Sequence, residues 1–363
     1  MIDPVRTLLV GVGARGRVWA RLLREERLTE VVGYVDLEEE NLAHVRDRYG
    51  APSAACFFDL GAALRALRPD LVVLATPPMG RHRQAVLSFE HGAHLLSEKP
   101  LALDFGEAIR IVQAAEEAGR ALAVAVNFRY QHCVTRARAI LRSREIGAPS
   151  FARYVYWRNR DGRRPGLNRF PLTMRQPMLY EQTVHHVDEI RFVYDAEVER
   201  VWCRCHNPPW SMYRDDATVA AVLELTGGIL VSYIGTWSAQ TRMTEFVWRT
   251  DCEGGALLQR QMFSDLFIAR GRDADAAEPV PLPWQEPLVD DARQLLTDVV
   301  EQILAGSLHP HPSGVDHLRT LGVIAACEES DRTGRSVAMD ELYARHNVPA
   351  RWLAWTEEGR PAP

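Results

Sequence analysis

Short apolar runs alternate with helix-length amphipathic stretches through the first third of the chain. Leu8-Leu9-Val10, Val31 to Val35, Cys56 to Phe58, Leu71 to Ala75, His94 to Ser97 and Ala121 to Val126 read as six strands. Between them the pattern predicts a helix through Glu26 and others over Glu38 to Tyr49, Leu60 to Leu67, Arg81 to His91 and Phe105 to Ala118. Strand–helix alternation of this kind predicts an α/β domain with a doubly wound parallel sheet. Beyond Asn127 the period changes. A helix over Val134 to Arg144 leads to long alternating strands at Phe151 to Arg158 and Val198 to His206. Val219 to Thr226 and Ile229 to Thr236 flank Gly227-Gly228, a hairpin signal. Further strands are predicted in Glu245 to Arg249 and Leu257 to Gln261, and helices over Asp290 to Ala305 and Gly314 to Thr333. The second part therefore reads as an α+β domain with a large, mostly antiparallel open sheet. The expected domains are 1–127 and 128–363.

Composition narrows the class. At 363 residues the chain suits two domains. A net charge of −5 argues against a nucleic-acid partner, which would need a basic surface. No apolar stretch reaches eighteen residues, so no membrane span is expected. The amino terminus runs straight into the first strand, which predicts no signal peptide. Six cysteines without a disulfide rhythm fit reduced thiols in a cytoplasm. In Cys203-Arg-Cys205-His206 the strand period sends both cysteines to one face and the histidine to the other. Core cysteines are favoured there over a zinc site, and no metal is expected. Trp352-Leu-Ala-Trp355 should pack before the Pro-rich end frays.

The first candidate for chemistry follows the first strand. Gly11-Val-Gly13-Ala14-Arg15-Gly16 precedes a helix and a second strand that ends in Asp36. In a dinucleotide-binding unit Gly11 permits the tight turn, Gly13 lets the backbone approach a pyrophosphate, and Gly16 lets helix and strand pack closely. The helix start would offer free N–H groups to phosphate. Asp36 would accept hydrogen bonds from the adenosine ribose. The plain alternative is an ordinary tight turn. With Glu38, Glu39 and Glu40 after Asp36 and no nearby arginine, NAD is expected and NADP is less favoured.

Three further stretches stand out. Ala75-Thr76-Pro77-Pro78 with His82 follows the fourth strand, where such folds bind ligands, although it could equally be a rigid capping loop. Glu98-Lys99-Pro100 closes the fifth strand. Lys99 there is either a solvated cation or one that stabilises a developing alkoxide. Glu181, His185 and Asp188 lie at i, i+4 and i+7, which in a helix stacks all three on one face. A carboxylate one turn from an imidazole can orient it as a base. A polar face of ordinary ion pairs is the alternative, and His186 competes for the assignment from about 100° away.

Together these residues resemble the glucose–fructose oxidoreductase, inositol dehydrogenase and rhizopine-catabolism (Gfo/Idh/MocA) family. The glycine loop, Ala75-Thr76-Pro77 with His82, Glu98-Lys99-Pro100 and Glu181-x-x-x-His185-x-x-Asp188 occur in that family's order. Asn127-Phe-Arg129-Tyr130 looks like the entry to its second domain. Ser313-Gly-Val-Asp-His and Thr333-Gly-Arg-Ser-Val337 look like its closing helix. The resemblance implies an N-terminal Rossmann domain and a nicotinamide-dependent dehydrogenase acting on CH–OH groups of a sugar, cyclitol or related polyol. It implies that Lys99, His185 and Glu181 are catalytic, with Gly11, Gly13, Ala14, Arg15, Gly16, Asp36, Thr76, Pro77, His82, Glu98, Lys99 and Asn127 around the cofactor. Lys99, Arg129, Arg158, Arg160, His185 and Asp188 are expected at the substrate. The family usually has aspartate where Glu181 stands and glycine where Thr183 stands.

Arg158, Arg160, Arg163, Arg164, Arg169 and Arg175 crowd the segment before Glu181. They would favour an anionic substrate if they faced it. A solvated loop or a subunit contact is the favoured reading. A homo-oligomer is expected. Two other functions fit the same residues: a glycosidase that uses NAD transiently, and a non-catalytic dinucleotide sensor.

Overall fold

The computed structural model describes residues 3–165 and 167–354. The Trp355 and Pro-rich end of the tail lie outside the described residues. The chain divides into two compact units. The first comprises residues 1–127, 288–318 and 351–363, and the second comprises 128–287 and 319–350. The chain leaves the first unit after Asn127 and returns to it at Leu288, whereas the sequence reading keeps 128–363 together.

The first unit holds β1 (Val5–Val10), β2 (Thr29–Val35), β3 (Cys56–Phe57), β4 (Leu71–Leu74), β5 (His94–Glu98) and β6 (Leu122–Ala125). They form one parallel sheet in the order β3-β2-β1-β4-β5-β6, the doubly wound Rossmann arrangement. Every residue of β4 and β6 is buried, as expected for strands covered on both faces. Two of the intervening helices, Leu60–Leu67 and Phe105–Glu117, start where the sequence supplies a side-chain acceptor. Asp59 accepts from the Ala62 N–H and Asp104 from the Glu107 N–H, each at 2.8 Å.

Side chains and backbone explain why the segment after Leu288 joins this unit. Asp291, at the start of the helix Asp290–Leu304, accepts a 2.6 Å bond from Asn127. Thr297 donates to Glu26 at 2.5 Å, and Ser313 bridges to Ala123 beside β6. Trp352 is buried and donates to Glu116, as the packing expected of the tail requires.

The second unit contains β7 (Pro149–Trp157), β8 (Val198–His206), β9 (Thr218–Leu225), β10 (Ile229–Thr236), β11 (Glu245–Cys252), β12 (Gly255–Gln259), β13 (Phe267–Arg270), β14 (Glu278–Pro279) and β15 (Val337–Ala338). Their order is β14-β13-β12-β11-β7-β10-β9-β8-β15. Only the β7–β10 pair among the ladders of this sheet is parallel. Alternating burial along β8 and β9 marks one core face and one open face. Gly227 and Gly228 make the β9–β10 turn at φ 78° and 77°, with Leu225 opposite Ile229.

Cys203 and Cys205 point inward and His206 is exposed. Among the described residues no group of three or more His, Cys, Asp or Glu side chains could hold a metal ion. No helix among them is long and apolar enough to cross a membrane.

Candidate functional site

In the first unit the glycine loop lies between β1 and the helix Ala14–Glu25. Gly11 has φ 86°, and a side chain there would press on the Ala75 backbone at 2.9 Å. A Cβ on Gly16 would fall 1.9 Å from the Gly11 carbonyl oxygen, so helix and turn meet only through glycine. A Cβ on Gly13 would meet nothing within 4 Å, which leaves open space at the helix start where a pyrophosphate fits. Asp36 closes β2. One of its oxygens accepts from the Val12 N–H at 2.6 Å, and the other accepts from Glu38 N–H and Asn41. The carboxylate is thereby fixed beside the glycine turn and half-exposed. These residues fit a dinucleotide.

Thr76 and Pro77 follow β4, and the Thr76 hydroxyl donates to Gln84 at 2.7 Å. His82 is half-buried in the first turn of the helix Arg81–Glu90. Glu98 ends β5, with Oε1 accepting from Arg15 at 2.6 Å and from the Trp19 indole at 2.8 Å. Burial alone would raise the Glu98 carboxyl, but Arg15, with Lys99 and Trp19, holds it below the usual carboxylate range. Glu98 and Arg15, both expected around the cofactor, are therefore partners of each other. Lys99 follows directly, half-buried, with a cis bond to Pro100. Asn127 is buried against Asp291.

In the second unit the expected uniform helix is interrupted. Met178–Thr183 forms a π-helical turn, and the α-helix begins only at Val184 and runs to Tyr194. Glu181 therefore lies in the π turn, half-buried, so α-helical spacing does not carry from it to His185. The cause lies in β10. Gly235 leaves the space that Met178 and the Tyr233 hydroxyl fill, since a Cβ there would come within 2.4 Å of both. Thr183 and His186 each bond the Tyr233 hydroxyl at 2.9 Å, and Gln182 bonds His186 at 2.8 Å. These bonds fasten the turn to the sheet.

His185 is buried and stacks on Phe128, with ring centroids 3.8 Å apart and planes 9° from parallel. That contact fixes the plane of its imidazole. His186 points instead to the sheet, as its position on the helix predicts, and burial pushes its imidazole down to about 3. Asp188 is engaged by protein groups. It receives both arms of Arg129, at 2.5 and 2.6 Å, and the Thr320 hydroxyl at 3.1 Å. Arg129 and Asp188, both expected at the substrate, form a buried ion pair.

The arginine segment is mostly surface. Arg158, Arg163, Arg164, Arg169 and Arg175 are exposed, and Arg175 pairs with Glu328 at 2.7 Å. The half-buried Arg160 lies over the Trp237 ring and donates to Tyr213.

Sequence reasoning passed over two signals. Of the 43 lysine and arginine residues 42 are arginine, and Lys99 is the single lysine of the chain. Arginine and lysine are not interchangeable where geometry matters, so a chain this biased that keeps one ammonium marks its position. The second is Arg81, 1% exposed, which binds backbone carbonyls around Lys99. Its signal was a helix start carrying Arg81, His82 and Arg83 with no acid, opposed by the helix dipole.

Residues 5–126 match the family described as "Oxidoreductase family, NAD-binding Rossmann fold", and residues 134–257 match the "GFO/IDH/MocA C-terminal domain". The D-apiose dehydrogenase of Paraburkholderia graminis is 25% identical over 350 residues, 93% of this chain and 90% of that protein. The inositol 2-dehydrogenase of Rhodococcus erythropolis is 29% identical over 206 residues, 55% of each chain. The solved structure of levoglucosan dehydrogenase with NADH and L-sorbose shares the fold at a TM-score of 0.80. It is 18% identical and covers 93% of this chain and 99% of that one. With both models of the family matched in order over about two thirds of its length, the chain belongs to the Gfo/Idh/MocA family of oxidoreductases.

Proposed function

We propose that this oxidoreductase is an NAD-dependent dehydrogenase that oxidises a secondary alcohol of a neutral sugar, cyclitol or related polyol. The observation that carries the reading is the single lysine, Lys99, kept at the carboxyl end of β5 in an otherwise arginine-only chain. A non-catalytic sensor would need no ammonium there. The names of the apiose, inositol and levoglucosan dehydrogenases support the substrate class.

Bound NAD would supply the acceptor for the hydride that leaves the carbinol carbon. Gly11, Gly13, Ala14, Arg15 and Gly16 would hold its pyrophosphate and Asp36 its ribose. Thr76, Pro77, His82, Glu98, Lys99 and Asn127 would line or support the rest. Lys99 donates to the substrate oxygen and stabilises the charge that develops on it. His185 accepts the hydroxyl proton, with its ring plane held by Phe128. Glu181 orients the reacting pair. Arg129 and Asp188 support the second unit's part of the site through their ion pair. The arginines of the 158–175 segment are exposed or, at Arg160, engaged by Trp237 and Tyr213, so they offer no buried fork for a carboxylate, which supports a neutral substrate.

A screen of neutral sugars, inositols, uronic acids and glycosides, followed at the NADH absorbance with each cofactor, tests the reading. Turnover of a neutral polyol is expected, with NAD favoured at least about tenfold because Asp36 and its acidic neighbours repel a 2′-phosphate. Glycoside turnover without NADH accumulation, or tight NAD binding with no turnover at all, would replace it with the glycosidase or the sensor.

The open face of the second sheet supports a homo-oligomer. On it Phe151, Val155 and Trp157 of β7 adjoin Leu230 and Ile234 of β10, with Val222 and Trp202 beyond. Phe151, Trp157, Trp202 and Leu230 are each between 39% and 44% exposed, a patch that a second copy would cover. Leu230→Arg is expected to shift the sedimentation coefficient to that of the monomer with the fold intact. A monomeric wild-type protein would sink the idea. The six free thiols, with the Cys203 and Cys205 sulfurs 4.0 Å apart and not joined in a disulfide, support a cytoplasmic location.

A further inference from the structure

We infer that Arg81 is a positioning residue for Lys99, holding the backbone on both sides of the lysine. The inference rests on the reading of Lys99 as the group that stabilises the reacting oxygen. Arg81 opens the helix Arg81–Glu90 and is 1% exposed. One guanidinium nitrogen, Nη1, donates to the Glu98 carbonyl at 2.6 Å and also to the Pro100 carbonyl. Those are the residues immediately before and after Lys99. The other, Nη2, donates to the Thr76 carbonyl. A single planar fork thus ties the loop after β4 to the turn after β5.

Two further facts make this more than packing. A cation in the first turn of a helix meets the positive end of its dipole, and this turn carries no acid to offset it. Burying a guanidinium adds a desolvation cost that hydrogen bonds must meet. The place therefore disfavours arginine except for its bonds to carbonyls, which require the fork that only arginine has. Glu98 is also held from the far side, through Arg15 and Trp19. The lysine is thereby carried on a backbone that cannot slide toward or away from a substrate, and a misplacement of about 1 Å at such a point costs about 10²-fold in rate.

Because Lys99 is the single lysine, its amine can be read chemically without interference. An amine-reactive ester applied to the full-length protein, followed by peptide mapping with the amino terminus as internal reference, reports its exposure. In Arg81→Gln the acylation rate of Lys99 should rise at least about fivefold, as expected when a half-buried segment opens locally. The kcat should fall by about 10–100-fold while the NAD dissociation constant stays within about threefold. In a Lys99→Ala background the same substitution should cost less than about threefold more, because both changes act through one group. Unchanged acylation of Lys99, with the same fractional loss of activity in both backgrounds, would make Arg81 a generic structural residue and overturn the inference. Full activity of Lys99→Ala would remove the role assigned to Lys99, while the acylation rate would still decide whether Arg81 holds it. Arg81→Met, which keeps an unbranched stem and lacks the fork, replaces the Gln variant if that one does not fold, with the same deciding outcomes.

Discussion

Lys99→Ala is expected to lower kcat by about 10²–10³-fold, the usual cost of deleting one donor to a developing oxyanion. Lys99→Arg is the sharper variant. It keeps the charge and matches the residue used at all 42 other such positions, yet it should lose nearly as much. A guanidinium is wider, planar and rigid, whereas a half-buried ammonium presents a compact charge on a flexible stem. Steady-state kinetics on the substrate found in the screen would read both variants, and NAD titration should show little change in affinity. Normal turnover by Lys99→Arg would mean that only charge is needed at this position. The single lysine would then be an accident of composition.

His185→Ala should lower kcat by about 10²–10⁴-fold, the range for removing a positioned general base. Combined with Lys99→Ala its effect should be strongly non-additive if both groups act on one oxygen as proposed. Its neighbour should behave oppositely. His186→Ala removes the link between Gln182 and Tyr233 and leaves buried polar groups without it. That should lower Tm by about 4–8 °C and leave the proton-transfer step nearly unaffected. The imidazole of His186 is held neutral down to about 3, whereas in the unfolded chain it takes a proton near pH 6.5. The unfolded state therefore binds more protons between those values. The stability that His186 provides is complete above pH 6.5 and declines as pH falls toward 3, by up to about 1.4 kcal/mol per pH unit. His186→Ala should show a shallower decline across that window. An inactive His186→Ala beside an active His185→Ala would reverse the assignment of the base.

What could be read from the sequence was whatever local chemistry determines. The glycine turn needs Gly11 and Gly16 because neighbouring backbone leaves no room for a Cβ, and that need shows in the residues themselves. Twelve of the fifteen described strands were legible for the same reason, whereas β13, β14 and β15, each of two to four residues, are too short to show a period. Continuous apolar runs mark the doubly covered strands, and alternation marks the half-open ones. The π turn was not legible. Its shape comes from a space at Gly235 and a hydroxyl at Tyr233, about fifty residues further along the chain. Asp188 looked available because its partner, Arg129, is 59 residues away. Arg81 escaped because its partners are backbone carbonyls, which carry no side-chain signature. The wrong-end charge of its helix was visible and could have been weighed.

The return of residues 288–318 to the first unit bears on how the chain is made. A ribosome delivers the six strands of the parallel sheet first, but Asp291 for Asn127, Thr297 for Glu26 and the strand-like contact of Ser313 with Ala123 come only after the whole 128–287 insertion. At about 5–20 residues per second the sheet waits about 10–40 s for those partners. During that interval the outer side of β6 and the Asn127 amide depend on water or a chaperone. A fragment cut after residue 127 would reproduce that waiting state, and not the finished cofactor domain.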